Sequence, residues 1–134
     1  MSGLTVITAF VCGFVTAQLI KLVAAVAAGK TKPLKYLTKS GGMPSGHAAS
    51  CVAAAVCLGL GEGFDSTVFA LAVCFTIVVL YDALNVRYVV GEHGKILTRL
   101  IKKPIKIAEG HTFLEVIVGI LLGISIGIII YKIF

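Results

Sequence analysis

Residues 112–131 read TFLEVIVGILLGISIGIIIY, a run of apolar residues whose single charge, Glu115, lies near its start. An α-helix needs about 20 mostly apolar residues to cross a hydrocarbon core of about 30 Å. Within that core each backbone N–H and C=O must find a partner inside the segment, so the run has to be helical. Two further stretches qualify by the same measure, Leu4–Ala28 and Ser66–Leu84, and a shorter one, Pro44–Leu60, supplies a fourth span. With 134 residues, 58% of them hydrophobic, and a mean hydropathy of +1.04, the chain is too apolar for a soluble globule. The expectation is an all-α integral membrane bundle of about four spans, residues 1–134 forming one domain.

The net charge of +6 is unevenly placed. Lys30, Lys32, Lys35 and Lys39 fill the first connection, Glu62 and Asp65 are the charges of the second, and Arg87, Lys95, Arg99, Lys102, Lys103 and Lys106 crowd the third. Basic loops stay on the cytoplasmic side, so four spans place loops one and three on the cytoplasmic side of the membrane and both termini outside. These cations flank spans and lack interleaved aromatics, which argues for lipid headgroups and against nucleic acid. Leu4–Ala28 has no basic region before it and is interrupted by Lys21, so it reads as a retained span and not as a cleaved signal. Cys12, Cys51, Cys57 and Cys74 sit in apolar segments without C-x-x-C spacing and read as small buried hydrophobes.

The second connection, Gly61-Glu62-Gly63-Phe64-Asp65, is a tight turn that makes spans two and three antiparallel neighbours. In the third, Val86, Val89, Val90, Ile96, Leu97, Leu100 and Ile101 recur at helical spacing between Arg87, Lys95 and Arg99. That pattern predicts a basic amphipathic helix in the cytoplasmic headgroup layer, ended by Pro104. Gly119, Gly123 and Gly127 recur every four residues along the last span. Such a strip suits close helix packing, against span one of the same chain or against its copy in a homodimer.

Chemistry concentrates where spans begin and end. Gly41-Gly42-Met43-Pro44-Ser45-Gly46-His47 opens one span and Gly110-His111-Thr112-Phe113-Leu114-Glu115 opens another. A helix N-terminus presents unpaired N–H groups and the positive end of the macrodipole, which together favour phosphate. Pro44 suits the first helical position, leaving the N–H groups of Ser45 and Gly46 in the first turn beside the His47 imidazole. His111 and Glu115 are four apart. They share a face if the helix includes His111; alternatively Thr112 and Glu115 form a capping box and His111 precedes the helix. Lys21 lies about 12 Å along a helix from Gly29 and either snorkels to the surface or takes part in a site. Asp82 either forms a structural pair with Arg87 or with Lys21 or takes part directly in catalysis, and Arg87 offers a planar fork for phosphate oxygens. Gln18, one turn before Lys21, is suited to a hydrogen bond between helices.

With these residues in view, the chain resembles the divergent, bacterial-type branch of the type 2 phosphatidic acid phosphatase superfamily, which is related to acid phosphatases and vanadium-dependent haloperoxidases. The resemblance rests on Gln18 with Lys21, on the glycine-rich stretch ending in Pro44-Ser45-Gly46-His47, on Tyr81-Asp82-Ala83 followed by Val86-Arg87, and on Gly110-His111-Thr112 with Leu114-Glu115-Val116. It implies that His111 is the nucleophile that forms a phosphohistidine, His47 the general acid for the leaving group, and Glu115 the acid that orients the nucleophile. The superfamily's Arg-Pro pair seven residues after a lysine is absent, Ile105 stands where an arginine would be, and Glu115 stands where an aspartate would be. Typical members also have six spans. Phosphate contacts then fall to Lys21 and Arg87, with Lys39 the weaker candidate, together with Ser45 and Gly46; Asp82 and Gln18 are supporting residues.

The resulting expectation is a phosphatase that needs neither metal nor cofactor and acts on a lipid phosphate or diphosphate at the cytoplasmic leaflet. Its rivals are a non-enzymatic anion- or lipid-binding protein or transporter subunit, and an assembly protein whose histidines only sit at helix ends. A transporter would bring polar groups to the bilayer midplane, whereas here they gather at one face.

Overall fold

The computed structural model describes residues 1–32, 34, 41–103 and 110–134. Lys39, Pro104 and Ile105 therefore lie outside the described residues. The elements are α1 (Gly3–Ala27), α2 (Gly46–Glu62), α3 (Thr67–Tyr81), a π-helical turn (Asp82–Val86), α4 (Arg87–Ile101) and α5 (Phe113–Ile133). Among the described residues there is no strand. Among the described residues, three helical stretches are long and apolar enough to span a membrane: Gly3–Ala27, the continuous run Thr67–Ile101, and Phe113–Ile133. The protein is an all-helical integral membrane bundle.

A short helix is the centre of the bundle. At 17 residues, α2 is about 25 Å long at 1.5 Å per residue, yet α1, α3 and α5 all pack on it. Its small residues permit this. Ala48, Ala49, Ala53 and Cys57 are wholly buried, and four glycines of its neighbours approach its backbone closely. A Cβ on Gly119, Gly123 or Gly127 would stand 2.6–2.7 Å from the carbonyl oxygens of Ser45, Ala49 and Ala53, respectively. From the other side, a Cβ on Gly13 of α1 would stand 2.6 Å from the same Ala49 oxygen.

The glycine strip of α5 is thus filled by α2. That corrects both sequence expectations for it, span one and a copy in a dimer. Periodicity identifies the face but not the partner, and α2 wins because its own small side chains let two backbones meet.

α3 buries only Thr76, as expected of an outer span facing lipid. The turn before it runs through Gly63, and α2 and α3 are antiparallel neighbours as the sequence indicated. The third connection departs from expectation at its start. The helix of the third span does not stop at Leu84 but continues through the π turn into the amphipathic α4 without a break. Thirty-five residues make about 52 Å of helix if straight, longer than a hydrocarbon core of about 30 Å. The basic, amphipathic half therefore lies beyond the hydrocarbon.

Candidate functional site

The C-terminal ends of α1 and α3 and the N-terminal ends of α2 and α5 meet at one end of the bundle, and the candidate residues lie there. Gly41 and Gly42 both have φ of +85°, a conformation that costs glycine little and other residues much. They turn the chain into α2, which begins at Gly46 with Ser45 as its N-cap. Pro44 is thus two positions ahead of the first helical residue expected for it. Ser45 wins the cap because its Oγ accepts the Ala48 N–H (3.4 Å), a bond that no proline can offer.

Ser45 is fully buried, and its backbone N–H donates to the Glu115 carbonyl at 3.0 Å. That N–H is not open to an anion. The first-turn N–H groups of Gly46 and His47 are the ones that helix geometry leaves without intrahelical acceptors.

Around His111 the two sequence alternatives turn out to be compatible. Thr112 caps α5 and Glu115 completes the capping box, accepting the Thr112 N–H at 3.0 Å through Oε2. The same Oε2 lies 3.1 Å from His111 Nδ1. A carboxylate that is ionised only accepts, and against one a neutral ring holds its proton on Nδ1 and keeps the Nε2 lone pair. His111 precedes the helix and is held by it as well.

Residues without chemistry of their own fix the position of His111. In the π turn the Arg87 N–H donates to the Asp82 carbonyl, five residues back. An ordinary α-turn would bring it to Ala83. The Ala83 carbonyl instead accepts the His111 N–H at 3.1 Å. Gly110 permits this approach, since a Cβ there would stand 2.6 Å from the Tyr88 nitrogen. Ala83 escapes a reading of side chains because its contribution is a carbonyl; Gly110 was visible in the sequence only as a neighbour of His111.

The two imidazoles meet, with ring centroids 6.1 Å apart at an interplanar angle of 72°. This is an edge-to-face contact, so a phosphorus atom engaging both rings would sit beside the pair and not between them. His111 is 5% exposed and Lys21 is 7% exposed. Burial pushes the His111 imidazole below the usual histidine value; the Glu115 hydrogen bond opposes this, while the nearby charges of Lys21 and Arg87 reinforce it. Both cations are thus within electrostatic reach of His111, and both also act on His47. Lys21 does not snorkel into the open. It feels the Glu115 charge without forming an ion pair among the described residues.

Arg87 Nε lies 2.8 Å from Asp82 Oδ2, which selects Arg87 over Lys21 as the partner of Asp82. Both side chains of that pair are more than a third exposed, so it adds little stability and serves mainly to aim the guanidinium. Gln18 lies three residues before Lys21 on α1. A cavity of about 440 Å³ opens beside His111, walled by Leu84, Tyr88, Gly91, Gly110 and Thr112.

Comparison with known proteins bears on this arrangement. The family model described as the divergent PAP2 family matches residues 3–126. The chain belongs to that family. The match to the divergent PAP2 family takes in both histidines, Glu115, Lys21 and Arg87. A protein of Bacillus subtilis (strain 168), described as the uncharacterized membrane protein YuiD, is 27% identical over 135 residues, covering 85% of each chain. No solved structure matches the chain.

Proposed function

We propose that this divergent PAP2 protein is a membrane phosphatase that hydrolyses a lipid phosphate or diphosphate through a phosphohistidine. The observation that carries the reading is the pairing of a carboxylate-held imidazole, His111, with a second imidazole, His47, at one patch. His111 Nε2 attacks phosphorus, forming the N–P bond as the bond to the lipid oxygen breaks. His47, entering as imidazolium, gives its proton to the departing alkoxide. Water then attacks the phosphohistidine, His47 takes a proton from it, inorganic phosphate leaves, and both rings return to their starting forms.

Charge on the equatorial oxygens is met by Lys21, by Arg87 and by the Gly46 and His47 N–H groups at the start of α2. Glu115 keeps the attacking tautomer and stabilises the ring as it becomes cationic. The basic connections favour the cytoplasmic leaflet as the side on which the site works.

The test is phosphate release by the purified protein in detergent from a panel of phosphatidate, phosphatidylglycerophosphate and polyprenyl phosphates. Turnover of one or more that is lost in His111→Ala supports the reading. Absence of turnover across the panel, with phosphate-dependent lipid binding retained, would point to a non-enzymatic lipid-binding protein.

A further inference from the structure

The site end of the bundle opens into two cavities that share a wall. One, about 210 Å³, is bounded by Lys21, Ala24, Ala25, Ala28, Gly42 and Met43. The other, about 450 Å³, runs between α1 and α5 and is lined by Ile20, Ala24, Met43, Pro44, Val118, Leu121, Leu122 and Ser125. Ala24 and Met43 belong to both. The first is cationic through Lys21, and the second carries no charge.

Helical spacing ties the apolar groove to the site. On α5, Glu115, Val118, Leu122 and Ser125 follow one another at i, i+3, i+7 and i+10 and so form a single stripe. The groove is therefore the downward continuation of the face that holds His111. On α1, Lys21 and Ala24 share a face in the same way. Ser125 adds no polarity, because its hydroxyl donates to its own helix at the Leu121 carbonyl (3.0 Å). A cationic mouth above an apolar groove between two spans is complementary to an amphiphile with an anionic head and a hydrocarbon tail. The volume lies in the range of ordinary ligand pockets.

We infer that the α1–α5 groove is the binding site for one hydrocarbon chain of a lipid phosphate, whose head is drawn to Lys21. This deepens the phosphatase reading and rests on it for the identity of the head. A soluble phosphomonoester would leave the groove unused; a lipid phosphate fills both cavities at once.

The test uses the full chain in detergent with a phosphatidate bearing a diazirine midway along one acyl chain, and maps the photoadducts. Adducts should fall on Ile20, Leu121, Leu122 and Ser125, and be displaced by unlabelled phosphatidate but not by diacylglycerol. Leu121 is 60% exposed, so Leu121→Trp fills the groove without displacing core contacts and should reduce labelling at least tenfold. Ala24→Phe, on the opposite wall, should do the same.

Adducts spread equally over the outer face of α3 at Leu71, Ile77 and Val78, or displaced equally by diacylglycerol, would overturn the inference in favour of ordinary bilayer lipid. Capture of a second copy of the chain at Leu121 would overturn it in favour of a protomer interface. Labelling needs no turnover. A preparation that labels the groove in a phosphate-dependent way but hydrolyses nothing keeps the groove and loses the phosphatase, and one that hydrolyses lipid phosphate but labels everywhere does the reverse.

Discussion

The backbone N–H of His111 is bonded to the Ala83 carbonyl, which the π turn has turned away from the helix ladder. One extra residue per turn at Asp82–Val86 thereby fixes the proposed nucleophile, and it places Arg87 on the same side. π turns inside α-helices are uncommon and occur often at functional sites. The relationship locates the most sensitive position in the site at a residue with no side chain, Gly110.

Gly110→Ala would put a methyl 2.6 Å from the Tyr88 nitrogen and 3.0 Å from the Arg87 carbonyl carbon. The contact is with backbone, so the segment bearing His111 has to move. Overpacking of this kind costs about 1–3 kcal/mol. Thermal unfolding in detergent should show the loss, and phosphate release should fall by more than the loss of folded protein explains. Gly3→Ala is the control, since nothing lies within 4 Å of a Cβ there.

The packing of α5 on α2 makes a second demand. Gly123→Ala should destabilise by about 1–3 kcal/mol, because its Cβ would stand 2.7 Å from the Ala49 oxygen and 2.9 Å from the Val52 Cβ. Gly123→Leu should fail to fold. Loss of a dimer with a fully folded, equally stable monomer would contradict the packing described, and sedimentation together with thermal unfolding distinguishes the two results.

The fold was legible where one physical requirement dominates. Length and apolarity alone mark α1, α3 and α5, because nothing else satisfies the backbone in lipid. The capping box at Thr112 was legible because its pattern is local. Three features were not. The partner of the glycine strip depends on which other helix is narrow enough, a property of two distant segments. The continuation past Asp82 was obscured because polar residues resemble a helix end, although each can face outward from a continuing helix. The meeting of His47, His111, Lys21 and Arg87 at one end was legible from charge asymmetry; the commitment of the Ser45 N–H to Glu115 was not, because a backbone contact leaves no mark in side-chain pattern.

Glu115 has two roles that separate by substitution. Glu115→Gln keeps an oxygen for the Thr112 N–H and for His111 Nδ1, so α5 should stay capped, with stability changed by a few tenths of a kcal/mol. Activity should fall, because a neutral amide does not stabilise the ring when it becomes cationic. Glu115→Ala should lose about 1 kcal/mol of capping as well. Paired melting and rate measurements check both, and equal activity in wild type and Glu115→Gln would remove the carboxylate from the chemistry.

The pH profile has a definite sign. His111 must be neutral to attack, and its burial holds its titration below the usual histidine value. The acid limb of kcat/KM should therefore fall below about pH 6.5, with the rate declining as pH drops through it. In the window between the folded and unfolded titrations the unfolded chain binds more protons, so stability should rise with pH there as well. Lys21→Met removes a positive charge that lowers the His111 titration, and it should move the limb upward. A limb that moves downward, or not at all, would place Lys21 outside the site's electrostatics.

The two imidazoles should answer differently to the leaving group, because only one is assigned to it. His111→Ala should abolish hydrolysis and any covalent phosphoenzyme with every substrate, since no N–P bond can form at that position. His47→Ala should slow release of a lipid alkoxide by the ~10²–10⁴-fold that general acid catalysis typically supplies. With an activated aryl phosphate, whose oxygen departs without help from a proton, the same variant should lose far less. Vanadate, which takes up the trigonal-bipyramidal geometry, should compete with both substrates in the wild type. Measuring both variants on both substrates, with acid-labile phosphate counted on the protein, checks the assignment. Equal losses in His47→Ala on the two substrates would contradict its role as the acid, and a phosphoenzyme persisting in His111→Ala would move the nucleophile elsewhere.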